Sequence, residues 1–240
     1  MKGELLLLPN LLNKEAPHEL FLPNSVDRAI AKIDGLIAEN ERDGRRYLQR
    51  FTFDRERTFR DLPISLFNKH HREVEELLAP LVQGEKWGLV SDAGLPILAD
   101  PGYQLVSRAR ELGIIVKAFV GPSSLVLALM LSGLPSQHFC FHGYLPRRPE
   151  QSLQELEMRS RKEGSTHLFI EAPFRNDRLL STLLHTLSDE TLLCVAWDLT
   201  FPTQGVETHP VHRWRKRSLP SIDKKPAVFL FHTISEATKS

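Results

Sequence analysis

Short apolar runs ended by turn residues alternate along this chain with segments of helical period, and that alternation restricts the fold more than any other feature. Residues 5–8 stop at Pro9-Asn10, 87–90 at Ser91-Asp92, and 114–120 at Gly121-Pro122. Runs of this length, bounded in this way, read as buried strands. Between them Val26, Ile30, Ile33 and Ile37 are spaced as one face of a helix over 26–38, with Asn24-Ser25 as its expected N-cap. Val74, Leu77, Leu78 and Leu81 predict a helix over 72–82, and another is expected over 103–112, closed by Gly113. Strand, helix and strand at such short spacing is the pattern of parallel α/β structure.

The second half continues in the same style. Helices are expected over 123–132, 151–162 and 176–187, and strands over 139–141, 167–170 and 192–197. Residues 209–217 and 228–232 then flank a proline-containing basic connection, which suggests antiparallel strands at a sheet edge. Gly121-Pro122 interrupts the pattern where a new apolar helix begins. The expected organisation is two α/β domains, 1–119 and 120–240, each of ordinary domain size.

Composition removes several classes. With 41% hydrophobic and 25% charged residues, the chain is neither disordered, collagenous nor a disulfide scaffold. Lys plus Arg is 31 against 30 for Asp plus Glu, a net charge of +1. A nucleic-acid partner would therefore be held by local patches, not by a global field. Cys140 and Cys194 stand in apolar runs and read as buried thiols. No Cys/His spacing resembles a zinc site, and His70-His71 has no further ligands spaced near it, so no metal is expected. The first apolar run is too short for a signal peptide. The longest, 125–131, falls far below the ~20 residues that span a bilayer. The expectation is a soluble cytoplasmic protein with no membrane partner.

Chemistry concentrates after two of the strands. The stretch Leu89-Val-Ser-Asp-Ala-Gly-Leu-Pro-Ile-Leu-Ala-Asp-Pro-Gly-Tyr103 holds two turn clusters within a few residues. Ala93 and Gly94 let a ligand approach the backbone closely. Asp100 or Pro101 would start the next helix, with a carboxylate at its positive end. Ligands of open α/β sheets sit outside the carboxyl ends of the strands, where this loop falls; the plainer reading is an ordinary turn. Val120-Gly-Pro-Ser-Ser124 also links a strand to a helix. There Ser123 and Ser124 can cap the helix, or its free N–H groups can face a ligand carboxylate. A third segment, His209-Pro-Val-His-Arg-Trp-Arg-Lys-Arg217, mixes cations with an aromatic, as RNA-binding segments do. A solvated edge strand would carry the same residues.

Taken together, Val90-Ser-Asp-Ala-Gly-Leu-Pro96, Asp100-Pro-Gly-Tyr103, Gly121-Pro-Ser-Ser124, Ser132-Gly-Leu-Pro135 and Phe141-His-Gly-Tyr-Leu-Pro146 resemble the tetrapyrrole methylase superfamily. Phe169-Ile-Glu-Ala-Pro-Phe-Arg175 and Ala38-Glu-Asn-Glu-Arg42 are similar to its subgroup that methylates a ribose 2′-hydroxyl of small-subunit ribosomal RNA. The resemblance implies two α/β domains with S-adenosylmethionine in the cleft between them, and a homodimer. It implies that Ser91, Asp92, Ala93, Gly94 and Pro96, with Gly121, Pro122, Ser123 and Ser124, line the cofactor site. The second domain would contribute backbone at Phe169 and Ile170 and near Ala196, Leu199 and Thr200. Methyl transfer needs alignment more than a nucleophilic residue. A general base for the incoming hydroxyl would be Glu171 or Glu41, each of which also reads as one half of an ion pair, with Arg175 and Arg45. The subgroup's first loop, Thr-Pro-x-Gly-Asn, is replaced here by Pro9-Asn10-Leu11-Leu12-Asn13, without glycine. Methylation of a small molecule such as a tetrapyrrole, or cofactor binding without catalysis, are the alternative expectations.

Overall fold

A computed structural model describes residues 2–53, 57–68, 73–99 and 102–234. Asp100 and Pro101, and the His70-His71 pair, lie outside the described residues. The chain divides into two units, Met1–Ser123 and Ser124–Ser240, with Gly121 and Pro122 in the first.

The first unit runs β1 (Glu4–Leu7), α1 (Asn24–Ile30), β2 (Gly35–Ala38), α2 (Glu41–Leu48), β3 (Ile64–Leu66), α3 (Val74–Val82), β4 (Lys86–Leu89), α4 (Tyr103–Glu111) and β5 (Ile115–Ala118). The strands form one parallel sheet in the order β3-β2-β4-β1-β5. Successive side chains of a strand point to opposite faces, and the packing follows that rule. Leu6, Leu36 and Ala38 meet Val26 and Ile30 of α1 and Tyr47 and Leu48 of α2. Leu5, Ile37, Trp87 and Leu89 meet Leu77, Leu78 and Leu81 of α3 and Leu105 and Ala109 of α4. Helices thus cover both faces, as parallel sheets require.

One expected helix is shorter than its periodicity suggests. It ends at Ile30, and Ile37 belongs to β2. The Asp34 N–H donates to the Lys86 carbonyl (2.7 Å), and Asp34 Oδ2 accepts from the Lys86 N–H (2.9 Å), drawing the chain onto the start of β4. Leu36, Ile37 and Ala38 are then all buried. A strand covered on both faces shows no alternation, so its isoleucine matched a helical spacing by coincidence. Asn24 and Ser25 fall inside the first turn of α1; Pro23 precedes it, and no side chain caps it.

The second unit runs α5 (Ser124–Ser132), β6 (Phe139–Tyr144), α6 (Glu150–Glu163), β7 (Thr166–Ile170), α7 (Asn176–Thr186), β8 (Leu192–Trp197), β9 (Gly205–Pro210), α8 (Val211–Trp214) and β10 (Ala227–His232). Its sheet has the order β6-β7-β10-β8-β9, with β6 and β7 parallel and the other pairs antiparallel. Phe169, Leu193, Val195, Phe229 and Phe231 face Leu153 and Leu156 of α6 and Leu179, Leu180, Leu183 and Leu184 of α7.

The expectation for residues 209–217 is corrected here. The edge strand β9 ends at Pro210, and α8 turns the chain inward. Val211 and Trp214, three apart, are fully buried, and Trp214 Nε1 donates to the Leu193 carbonyl (2.8 Å). The partner segment 228–232 is no edge either. Every residue of β10 is buried, and it fills the centre of the sheet.

A histidine pair, His167 buried and His142 half-buried, joins β6 to β7. His142 Nε2 and His167 Nδ1 are 2.7 Å apart, and His167 Nε2 is 3.1 Å from Ser165 Oγ. One ring must donate and the other accept, so the pair favours neutral imidazoles. Burial, with the neighbouring His142, pushes His167 down to about 4, and burial with Arg159 pushes His142 down as well. Because the folded values lie below the unfolded ones, the unfolded chain binds more protons in the acid range. Stability is expected to be full above about pH 6.5 and to fall from there toward pH 4, by up to ~1.4 kcal/mol per pH unit for His167, with His142 acting in the same direction. Urea unfolding across that range measures it, and His167→Gln should flatten the profile.

Candidate functional site

The topology of the first sheet fixes where a ligand can sit. β1 leads through α1 to β2, and the adjacent β4 leads through α4 to β5, with α1 and α4 on opposite faces. The loops that leave these neighbouring strands therefore part to opposite sides, and a crevice opens at their carboxyl ends. The loop after β1 is residues 8–13; the loop after β4 carries Ser91, Asp92, Ala93, Gly94 and Pro96.

Asn10 locks the two loops together. Its Nδ2 donates to the carbonyls of Ser91 (2.9 Å) and Asp92 (3.0 Å), its Oδ1 accepts from the Leu11 N–H (2.9 Å), and its own N–H donates to the Gly94 carbonyl (2.7 Å). It is 5% exposed, so these bonds replace lost hydration. The Asp92 N–H donates to Glu39 Oε1 (3.0 Å), and Asn40 caps α2 by accepting from the Asp43 N–H (2.8 Å). Tyr47 donates to the Pro9 carbonyl (3.1 Å). The result is a braced loop whose tip, Ala93, stays exposed while Ser91, Gly94 and Pro96 are buried.

Two glycines have separate reasons to be glycine. Gly94 has φ +69°, a left-handed conformation, and a Cβ there would stand 3.3 Å from Leu12 Cδ2 and 3.4 Å from the Pro122 carbonyl oxygen. At Gly121 a Cβ would fall 2.1 Å from Pro9 Cβ, so this glycine lets the loop after β5 close on the loop after β1. The expected set Gly121, Pro122 and Ser123 is thereby brought beside Gly94. Ser123 is buried, and Ser124 opens α5. Sequence reasoning missed Asn10 as a brace, having read its loop only for an absent glycine.

In the second unit Phe169 is wholly buried in the core, so only backbone could serve a ligand there; Ala196 and Leu199 are buried too, and Ile170 is half-buried. Asp198 (φ +49°) and Thr200 (φ +73°) both hold left-handed backbone. The loop is braced by Thr203 Oγ1 to Asp198 Oδ2 (2.8 Å) and by the Thr200 N–H to Gln204 Oε1 (2.9 Å). Thr200 Oγ1 is buried with no hydrogen-bond partner among the described residues. Non-glycine residues held in that region, next to an unsatisfied hydroxyl, mark strain of the kind that collects at binding sites.

Both candidate bases are in ion pairs. Glu41 is 3.6 Å from Arg45, with a 68% exposed side chain. Arg45 also donates to the carbonyls of Phe59 (2.9 Å) and Leu62 (2.6 Å), a structural tie of the chain after α2. Glu171 is only 9% exposed; its Oε1 accepts from Arg175 Nη2 (2.6 Å) and from the Ala172 N–H (2.7 Å). It lines a groove of about 350 Å³ with Arg147, Phe174, Arg175 and Arg178.

Two of the cations of the basic segment 209–217, Arg215 and Arg217, are engaged internally. Arg215 donates to the carbonyls of Leu184 (2.7 Å) and Leu187 (2.9 Å) at the end of α7 and pairs with Asp189. Arg217 pairs with Glu207 (3.1 Å) and lies over the Trp214 ring. Trp214, being buried, offers no stacking face. Arg215→Ala is expected to cost ~1–3 kcal/mol in chemical denaturation by orphaning two carbonyls.

Cys194 is buried and its thiol pushed up to about 11 by that burial; Cys140 is half-buried, and neither is bonded to the other. Among the described residues no group of three or more His, Cys, Asp or Glu could hold a metal, and no helix is long and apolar enough to cross a membrane.

Residues 24–213 match the family model for tetrapyrrole (corrin/porphyrin) methylases. The chain belongs to that family. It is 31% identical over 217 residues to a ribosomal RNA small subunit methyltransferase I of Escherichia coli O157:H7, covering 88% of this chain and 70% of the relative. It is 36% identical over 167 residues to the protein so named in Xylella fastidiosa, covering 69% of this chain and 58% of that relative. A third, from Halalkalibacterium halodurans, is 34% identical over 68% of this chain and 54% of its own length. The chain thus spans little more than half the length of some curated relatives. The crystal structure of the methyltransferase CobJ shares the fold, with a TM-score of 0.63 at 16% identity over 97% of this chain and 95% of that one.

Proposed function

We propose that this chain is an S-adenosylmethionine-dependent methyltransferase that acts on small-subunit ribosomal RNA, at a ribose 2′-hydroxyl. The observation that carries this reading is the 31% identity to a relative named for that RNA over 88% of the chain, together with the loop after β4, residues 91–96, which falls within the family match over 24–213.

The cofactor is consistent with the residues present. Exposed Ala93, set in place by the left-handed Gly94 beside it, leaves backbone open to close approach. Ser91, Asp92, Ala93, Gly94 and Pro96, with Gly121, Pro122, Ser123 and Ser124, would hold it. S-adenosylmethionine, when bound, supplies a methyl group already activated by the sulfonium charge. The chain's residues must align the hydroxyl and remove its proton as the oxygen–carbon bond forms. Glu171 is the better-placed acceptor. Its Oε1 is engaged by Arg175 and Ala172, which fixes the carboxylate in one orientation and leaves Oε2 for the hydroxyl proton.

A homodimer in the cytoplasm is part of the same proposal, and analytical ultracentrifugation reads the assembly. The activity is tested by transfer of labelled methyl from S-adenosylmethionine to small ribosomal subunits that lack the modification. Incorporation into ribose supports the reading. Cofactor binding without transfer to RNA would replace it with the small-molecule or non-catalytic alternative.

A further inference from the structure

The groove beside Glu171 has a chemistry of its own. Arg147, Arg175 and Arg178 line it with Phe174 and Thr182, so its lining carries three arginines and one carboxylate, Glu171. Arg175 is held by Glu171, whereas Arg147 and Arg178 are exposed and pair with no acidic side chain among the described residues. Phe174 is 72% exposed, with the Arg175 guanidinium 5.7 Å from its ring centroid. Arg175 Nε is buried and without a partner among the described residues. Pro146 and Pro149 also line the groove, and Pro173 fixes the turn that carries Phe174. Its volume is in the range that holds a small organic ligand.

Guanidinium groups bind phosphate oxygens in a geometry lysine cannot reproduce. An exposed ring beside them offers a face on which an unstacked base can lie, and that combination distinguishes single-stranded nucleic acid from a free anion. The basic segment 209–217 lacks it, because its tryptophan is buried and Arg215 and Arg217 are engaged.

We propose that this groove is a subsite for single-stranded RNA, in which Arg147 and Arg178 hold backbone phosphates and a base next to the methylated nucleotide stacks on Phe174. The proposal rests on the RNA-methylating reading above and says which surface recognises the strand. Glu171 in the same groove would then meet the ribose of the neighbouring nucleotide.

The test uses the full chain and a fluorescent small-subunit rRNA fragment with an unpaired segment, titrated by anisotropy at several salt concentrations. Arg147→Gln with Arg178→Gln is expected to weaken binding and to make the salt dependence shallower by about 1.4 in log–log slope, for two phosphate contacts on a single strand. Phe174→Leu should weaken binding by roughly 5- to 150-fold at unchanged slope, because stacking carries no counterions. Phe174→Tyr should restore it. S-adenosylmethionine affinity by calorimetry and melting temperature should match the parent throughout, since all three side chains are exposed. If the parent binds and methylates RNA while these variants bind it equally well, the groove is not the subsite and the RNA reading survives. If the parent neither binds nor methylates RNA, both fall.

Discussion

Glu171→Gln is expected to lower methyl transfer by ~10²–10⁴-fold, the usual contribution of a positioned general base, while S-adenosylmethionine affinity stays that of the parent. The substitution keeps the shape of the side chain and one oxygen to accept from Arg175 and the Ala172 N–H, the two bonds that hold Oε1. It removes the ability to take up a proton. Because Glu171 is only 9% exposed, solvent has little access to replace it. Arg175→Lys separates chemistry from architecture: it keeps a cation beside the carboxylate and should cost much less. Labelled-methyl transfer under single-turnover conditions reads both variants. Equal small losses in the two would reduce Glu171 to half of a structural ion pair, and a large loss in Glu41→Gln instead would move the base to α2.

Gly94→Val should abolish measurable cofactor binding, or weaken it by more than roughly tenfold, because a branched side chain at φ +69° carries a strain of ~1–2 kcal/mol before any clash. Its Cβ would also press on Leu12 and on the Pro122 carbonyl, and the Gly94 carbonyl is the acceptor for the Asn10 N–H. Relief therefore requires the loop after β4 to leave its brace. Gly133→Ala is the matched control. Gly133 has the same φ of +69°, but a Cβ there would meet nothing within 4 Å, so the change should cost stability without touching cofactor affinity. Calorimetric titration of both variants with S-adenosylmethionine decides the matter. A folded Gly94→Val chain with parental affinity would remove this loop from the site.

Elements whose ends carry turn residues were legible from residues alone. β8 over Leu192–Trp197 matches the expected run, and α7 begins at the expected Asn176. The failures have a common origin. Ile37 lies in a strand covered on both faces, where the two-residue alternation disappears and a chance spacing from Val26 imitates a helix. Residues 209–217 looked like a cationic edge because a solvated edge strand carries just such Lys and Arg residues, yet Val211 and Trp214 carry the helical spacing that the core selects. At the site, the glycine-bearing loops were readable because few backbone conformations suit Asp92-Ala93-Gly94. Asn10 was not, since an amide that braces a loop some eighty residues away leaves no local mark; its partners are set by the parallel order that brings β1 beside β4.

The position of β10 bears on how the chain is made. Its Ala227–His232 segment is, among the described residues, the last strand of its unit to leave the ribosome, yet it pairs with both β7 and β8. Until it arrives, β6 with β7 and β8 with β9 are two separate ribbons with open inner edges, and Phe169, Leu193 and Val195 lack the Phe229 and Phe231 that complete their core. The first unit needs nothing beyond residue 123 for its own sheet and can close early, as N-terminal domains do during synthesis. The second remains a half-built sheet through most of its translation, and this is the interval in which exposed edges are open to mispairing or to a chaperone.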